Sequence, residues 1–149
     1  MHIVIVAGPM CAGKSTYIKT NFPNHTVIDL YDFQEGMDFP TYETVMKSYE
    51  DCRDALIEAI KRGEDVVLEH TLLKQKRRPM YIDAIRSVTD ADIEMHWLQP
   101  SIDTLAHRAL ERQMRINLKY CREFAEAVLE SAETPTVDEG FSVVKIIAE

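Results

Sequence analysis

Residues 2–15 of the chain read His-Ile-Val-Ile-Val-Ala-Gly-Pro-Met-Cys-Ala-Gly-Lys-Ser. The first six residues form a mostly apolar, β-rich run, which predicts a strand buried on both faces of a sheet. The last eight, from Gly8 to Ser15, match the pattern G-x-x-x-x-G-K-[S/T] without a deviation. The motif lies between a predicted strand and a predicted helix, which is the context that phosphate binding by such a loop requires.

Each part of this motif suits the binding of ATP and Mg²⁺. The glycines let backbone N–H groups turn towards phosphate oxygens, and a helix beginning at Lys14 adds the positive end of its dipole. Lys14 has the length to reach the β- and γ-phosphates, and the Ser15 hydroxyl is a ligand for Mg²⁺. We therefore predict a nucleotide site, with Ser15 on the metal, formed by Gly8, Cys11, Ala12, Gly13, Lys14, Ser15 and Thr16.

Strands and helices alternate along the chain. The strands are predicted at residues 2–7, 27–28, 66–68, 93–98 and 141–147. The helices are predicted at 14–21, 44–61, 79–87, from Ser101 through Arg112, and at 118–131. This alternation predicts an α/β fold of the P-loop NTPase type, with a parallel sheet of about five strands and helices on both faces. The 149 residues have the length of one domain, and we predict a single domain over 1–149.

The composition limits the possible partners of the chain. Its net charge of −8 comes from 25 acidic and 17 basic residues, so strong non-specific coating of nucleic acid is not expected. The three cysteines show no C-x-x-C spacing, which argues against a disulfide framework or a zinc site. No apolar run approaches the roughly 20 residues of a membrane span, and nothing resembles a signal peptide. A cytoplasmic protein without membrane partners is the expectation.

Three further segments resemble parts of a known family. Val67 to Leu72 followed by Arg77 and Arg78 is similar to a strand that ends in Asp-Thr-Asn and is trailed by an arginine. The run from Arg108 to Arg112 is similar to an arginine-rich lid, and the run from Pro135 to Phe141 to a Pro…Glu-Gly-Phe segment. Together with the phosphate loop, these segments resemble the small P-loop kinases related to the 5′-hydroxyl polynucleotide kinase module.

The sequence departs from the family pattern at two positions. His70 replaces the aspartate of Asp-Thr-Asn, and Leu72 replaces the asparagine. Glu69 lies next to His70, but successive strand residues point to opposite faces, so Glu69 is not expected to take over the aspartate's place. The likeness extends to small-molecule kinases such as gluconate kinase.

The resemblance implies transfer of the γ-phosphate of ATP to a hydroxyl acceptor, with Mg²⁺ as cofactor. The leading hypothesis for the acceptor is a 5′-hydroxyl of a nucleic acid end or nucleotide. A small-metabolite kinase for a sugar acid or nucleoside is one alternative. A nucleotide-binding regulatory module with weak ATPase activity is another.

Phosphoryl transfer also needs a carboxylate and positive charge near the transferred group. Asp29 and Asp32 follow the second predicted strand and are the candidate bases, and the sequence leaves open which of them acts. Besides Lys14, the predicted catalytic cations are Arg108 and Arg112 of the lid. Arg115, Lys119 and Arg122 continue their spacing, either as part of the site or as a solvated helix face.

The acceptor itself is expected beyond the third predicted strand. Arg77 and Arg78 are the predicted substrate-binding residues there, in a basic cluster with Lys74 and Lys76. Aromatic residues flanking the loop after the second strand either stack on a base or cover an edge of the core; they are Tyr31, Phe33, Phe39 and Tyr42.

Overall fold

A computed structural model of the chain describes residues 1–112 and 117–148. The strands are β1 Ile3–Ala7, β2 Thr26–Asp29, β3 Val66–His70, β4 Ile93–Leu98 and β5 Val143–Ile147. The helices are α1 Lys14–Asn21, α2 Tyr42–Lys61, α3 Pro79–Arg86, α4 Ile102–Arg112 and α5 Leu118–Ser131. All strand pairings are parallel, in the order β2-β3-β1-β4-β5. The predicted α/β fold is confirmed.

The sheet is covered on both faces because its strands carry apolar side chains in both directions. Val4 and Val6 of β1 pack with Ile18 of α1 on one face. Ile3 and Ile5 point the other way, into a core shared with α2 and α3. This alternation continues along β3, where the two faces receive different side chains at the strand's carboxyl end. The direction of each side chain along β3 therefore determines which polar groups lie next to the phosphate loop.

Element boundaries differ from the prediction by a few residues. Helix α2 begins at Tyr42, not Thr44, because Thr41 caps it: the Thr44 N–H donates to Thr41 Oγ1 at 3.2 Å, and the Thr41 N–H donates to Thr44 Oγ1 at 2.8 Å. Pro79 opens α3 as predicted. Strand β3 extends to His70, two residues beyond its predicted end. Among the described residues, no helix has the length and apolar content that a membrane crossing needs.

Candidate active site

The phosphate loop connects β1 to α1 and lines a cavity of about 400 Å³ at the carboxyl edge of the sheet. Every predicted nucleotide-site residue from Cys11 to Thr16 lines this cavity. Gly13 has a φ of 92°, in the left-handed region that glycine tolerates, directly before the first turn of α1.

Gly8 does not line the cavity. Its N–H donates to the carbonyl of Thr71 at 3.1 Å, so it is not directed at a phosphate. A Cβ atom at this position would lie 2.7 Å from the carbonyl oxygen of Leu98. The glycine is therefore needed for a close approach between β1 and β4, and the predicted contact of Gly8 with nucleotide is corrected to a packing role.

Lys14 lies at the centre of the loop. Its Nζ atom donates to the carbonyls of Gly8 and Pro9, each at 2.9 Å. The pKa of Lys14 is lowered to about 8, mainly by burial and to a small extent by Arg112, although the carboxylates of Glu69 and Asp29 act to raise it. An arriving phosphate would favour the charged ammonium, because opposite charges stabilise each other in a partly buried site.

Ser15 and Glu69 form a contact that the sequence analysis did not anticipate. The Ser15 hydroxyl donates to Glu69 Oε2 at 2.8 Å. Side chains do alternate along β3, but Glu69 falls on the α1 face together with Val67, and α1 begins at the phosphate loop. Glu69 therefore does not take the place of the family aspartate, as expected, but it reaches the metal side of the site from the other face of the sheet. Burial raises the pKa of Glu69, and its contact with Ser15 lowers it.

His70, at the position of the family aspartate, points to the opposite face. Its Nε2 atom lies 2.9 Å from the hydroxyl of Tyr81, and that hydroxyl donates to the carbonyl of Tyr49 at 3.0 Å. The Leu72 N–H donates to His70 Nδ1 at 3.3 Å. These contacts are mutually consistent for a neutral ring that carries its proton on Nε2. Burial, and to a lesser extent Lys14, lower the pKa of His70 to about 3.

The two candidate bases lie in different places. Asp29 ends β2, is paired in register with Glu69, and lines the cavity. Its Oδ1 atom accepts the Tyr31 N–H at 3.0 Å, which caps the short 3₁₀ helix Leu30–Phe33. Burial raises the pKa of Asp29, and the Tyr31 N–H lowers it. Asp32 is exposed on that 3₁₀ helix and does not line the cavity.

The two lid arginines approach the phosphate loop from α4. Arg108 Nη1 donates to the carbonyl of Ala12 at 2.9 Å and lies over Gly13. Arg112 lines the cavity described above and also a second one, of about 410 Å³, on the β4–β5 side. The lining of that second cavity combines apolar and aromatic residues, among them Tyr17, Leu98 and Ile147, with the charged residues Arg108 and Glu111.

Of the remaining stripe, the described residues Lys119 and Arg122 lie outside the site. Among the described residues, α4 covers Ile102–Arg112 and α5 covers Leu118–Ser131. Arg122 forms an ion pair with Asp103, between α5 and α4. Lys119 is exposed and lines neither cavity, and Arg115 lies outside the described residues. The solvated-face interpretation fits Lys119 and Arg122.

Arg78 is not available to a substrate, contrary to the prediction. Its side chain is 1% exposed, and its guanidinium forms a 3.0 Å ion pair with Glu139. It also donates to the carbonyls of Leu72 and Glu133 and lies 5.3 Å from the ring centroid of Trp97. These contacts fix the loop after β3 to the segment before β5, so Arg78 has a structural role.

Arg77 and the lysines beside it also lie away from the cavity. Arg77 is half-buried, 5.8 Å from the ring centroid of Tyr42, and donates to Met46 Sδ at 3.3 Å. Lys74 donates to the carbonyl of Ser131 at the end of α5, and Lys76 is exposed.

Of the aromatic residues near β2, Tyr31 lines the cavity and is 63% exposed, whereas Phe33 packs against the core.

Comparison with known proteins supports the resemblance that the sequence predicted. No family model matches the chain. The chain is 29% identical over 145 residues to the bifunctional polynucleotide phosphatase/kinase of Schizosaccharomyces pombe. That match covers 97% of this chain but 33% of the relative, so the chain spans about a third of the curated relative's length.

Solved structures share the fold at low sequence identity. A gluconokinase from Sinorhizobium meliloti matches with a TM-score of 0.62 and 18% identity, covering 99% of this chain and 83% of that one. A chain of the Pnkp1/Rnl/Hen1 RNA repair complex matches with a TM-score of 0.63 and 17% identity, covering 87% of this chain and 45% of that one. The predicted relationship to small P-loop kinases such as polynucleotide kinase is confirmed.

Proposed function

We propose that the chain is an ATP-dependent phosphotransferase that moves the γ-phosphate of ATP to a hydroxyl acceptor. One observation carries the proposal: Lys14, Ser15, Glu69 and Asp29 converge on a single cavity at the carboxyl ends of β1, β2 and β3. This combination supplies a phosphate-binding cation, a hydroxyl–carboxylate pair suited to Mg²⁺, and a separate carboxylate that can accept a proton. A bare phosphate-binding loop would not need the last of these groups.

The residues present fit a magnesium nucleotide. The Ser15 hydroxyl and the Glu69 carboxylate lie in contact at the start of α1, and both are hard oxygen donors of the kind that Mg²⁺ prefers. Bound there, Mg²⁺ would supply charge neutralisation for the phosphates. In this proposal the Ser15 oxygen binds the metal directly. Glu69 accepts the hydrogen bond from the Ser15 hydroxyl and so orients that oxygen towards the metal.

The sheet order suggests which substrate occupies which side. The cavity beside β4 and β5, with Tyr17, Leu98 and Ile147 in its lining, suits the base of ATP, and the cavity beside β2 and β3, with the candidate base Asp29 in its lining, suits the acceptor. Arg112, which lines both, is the cation best placed for the transferred phosphoryl group. Arg108 donates a hydrogen bond to the carbonyl of Ala12 in the phosphate loop, and this contact keeps the lid helix α4 next to the nucleotide.

Transfer then follows from these positions. The acceptor oxygen forms a bond to the γ-phosphorus while the bond from that phosphorus to the β,γ-bridging oxygen breaks, and ADP leaves. Asp29 accepts the acceptor's hydroxyl proton. Lys14 and Arg112 stabilise the charge on the phosphoryl oxygens, because cations in a partly buried site act strongly on developing charge.

The leading acceptor is a 5′-hydroxyl of a nucleic acid end or a nucleotide. The relative named for polynucleotide kinase, which matches nearly the whole of this chain, supports that choice. The burial of Arg78 favours a second candidate, a kinase for a small nucleoside or sugar, because it removes one predicted contact to an acceptor phosphate.

Binding of MgATP should raise the melting temperature of the wild-type chain. A ligand at 100 times its Kd stabilises the native state by about 2.7 kcal/mol. For a chain of this size that corresponds to a shift of roughly 5–10 °C. Lys14→Ala should lose most of the shift, whereas Lys19→Ala, at an exposed position in the last turn of α1, should keep it. A wild-type melting curve that MgATP leaves unchanged would refute nucleotide binding.

A further inference from the structure

The acceptor side of the cavity is acidic. Its ionisable side chains at the ends of β2 and β3 are the carboxylates of Asp29 and Glu69, which occupy paired positions in neighbouring strands. These two carboxylates line the space that an acceptor would enter, and a negatively charged group held there would be repelled by both.

The positive charges near these carboxylates, including a Mg²⁺ bound at Ser15, suit the phosphates of ATP and not the acceptor. Within the described ranges 1–112 and 117–148, the cations that line the cavity are Lys14 and Arg112. Lys14 is hydrogen-bonded inside the phosphate loop, and Arg112 lies at the boundary with the second cavity, so both suit the phosphates of ATP. Arg78 is buried against Glu139, and Arg77 lies over Tyr42 outside the cavity.

The remaining polar groups on this side are uncharged. Gln34 and Thr71 offer an amide and a hydroxyl, and Tyr31 offers an exposed ring. Such groups bind hydroxyl-rich molecules, and an exposed ring can stack on a nucleobase. The neutral His70 ring, bonded to Tyr81, adds no positive charge.

We infer that the acceptor enters this cavity uncharged: a nucleoside or neutral sugar hydroxyl, with any negative charge of the acceptor held outside. The inference rests on the proposed phosphotransfer and narrows its substrate class. It excludes sugar acids and sugar phosphates. A 5′-terminal nucleoside unit of a nucleic acid fits with its nearest phosphate beyond the mouth of the cavity, where the carboxylates still repel that phosphate and weaken binding relative to the free nucleoside.

Matched acceptor pairs that differ in charge test this inference. Affinities of adenosine and adenosine 3′-monophosphate, and of glucose and gluconate, are measured by calorimetry with Mg²⁺ and a non-hydrolysable ATP analogue present. In at least one pair the neutral member should bind at least about 10-fold more tightly, because charge repulsion in a partly buried site is weakly screened. Equal or tighter binding of the anionic members overturns the inference, and so does a failure of all four to bind.

A variant that adds a cation at the cavity provides the reciprocal test. Tyr31→Arg should shift the neutral-to-anionic affinity ratio of the pair that binds by about 10-fold towards the anionic member. Phe39→Arg, at a position that is 91% exposed and does not line the cavity, should leave the ratio within about 2-fold. An unchanged ratio in Tyr31→Arg contradicts the inference. Neutral preference in binding without any phosphate transfer would support the inference while refuting the proposed function, so the two failures are distinguishable.

Discussion

Asp29→Asn should lower kcat by about 10²–10⁴ with little change in ATP affinity. Asp29 lines the cavity at the carboxyl end of β2, and its loss removes the group that accepts the hydroxyl proton. Asparagine retains an oxygen that can accept the Tyr31 N–H, so the cap of the 3₁₀ helix is kept. Steady-state kinetics with a phosphorylatable acceptor measures the effect.

Asp32→Asn is the matched control, because Asp32 is an exposed aspartate on the same 3₁₀ helix that does not line the cavity. Its kcat should stay within a few-fold of wild type. In the wild type, kcat should fall on acidification as Asp29 becomes protonated, at a pH above the ordinary range for aspartate, because burial raises the pKa of Asp29. If both asparagine variants retain the wild-type kcat, neither residue is the base, and Glu69 and Glu35 become the candidates.

Arg78→Ala should lower the free energy of unfolding by about 3–5 kcal/mol. The substitution leaves Glu139, whose side chain is 7% exposed, without its partner, and it removes the donor to the carbonyls of Leu72 and Glu133. It also removes the guanidinium from the ring of Trp97. Urea unfolding monitored by circular dichroism gives the difference.

Two further variants distinguish the structural role of Arg78 from the predicted role in substrate binding. Arg77→Ala should cost less than about 1 kcal/mol, because it removes a half-buried contact with Tyr42 and Met46. Arg78→Lys keeps a positive charge for Glu139 but loses the bidentate geometry, so its unfolding free energy should lie between wild type and Arg78→Ala. An Arg78→Ala protein as stable as wild type would show that the buried ion pair does not hold the two loops together.

The fold was predictable because local patterns and global topology agree. The apolar run of β1, the phosphate-loop motif and Pro79 at the start of α3 each define an element boundary through backbone chemistry. Strand-helix alternation then leaves a parallel sheet as the favoured arrangement. The start of α2 was missed by two residues because Thr41 and Thr44 cap each other, and threonine is less frequent as a cap than serine, aspartate or asparagine.

The site was predictable only in part, because side-chain direction depends on strand register. Glu69 was set aside on the basis of alternation, yet alternation is what brings it to the α1 face beside Ser15. The signal was present: Glu69 lies two residues after Val67, on the face that packs against α1. Arg78 was misassigned because its partner, Glu139, is 61 residues away and no local pattern links them. Long-range ion pairs of this kind cannot be read from composition or spacing.

The most direct test of the account is transfer of label from γ-³²P-ATP by the wild-type chain with Mg²⁺ present. The acceptors are a 5′-hydroxyl oligonucleotide, adenosine, glucose and gluconate, and a Lys14→Ala sample provides the blank. We expect MgATP-dependent label on a 5′-hydroxyl of the oligonucleotide or of adenosine, or else on the neutral sugar, and none on gluconate. Release of labelled inorganic phosphate alone, with no acceptor labelled, would contradict it and would favour a nucleotide-binding module with weak ATPase activity.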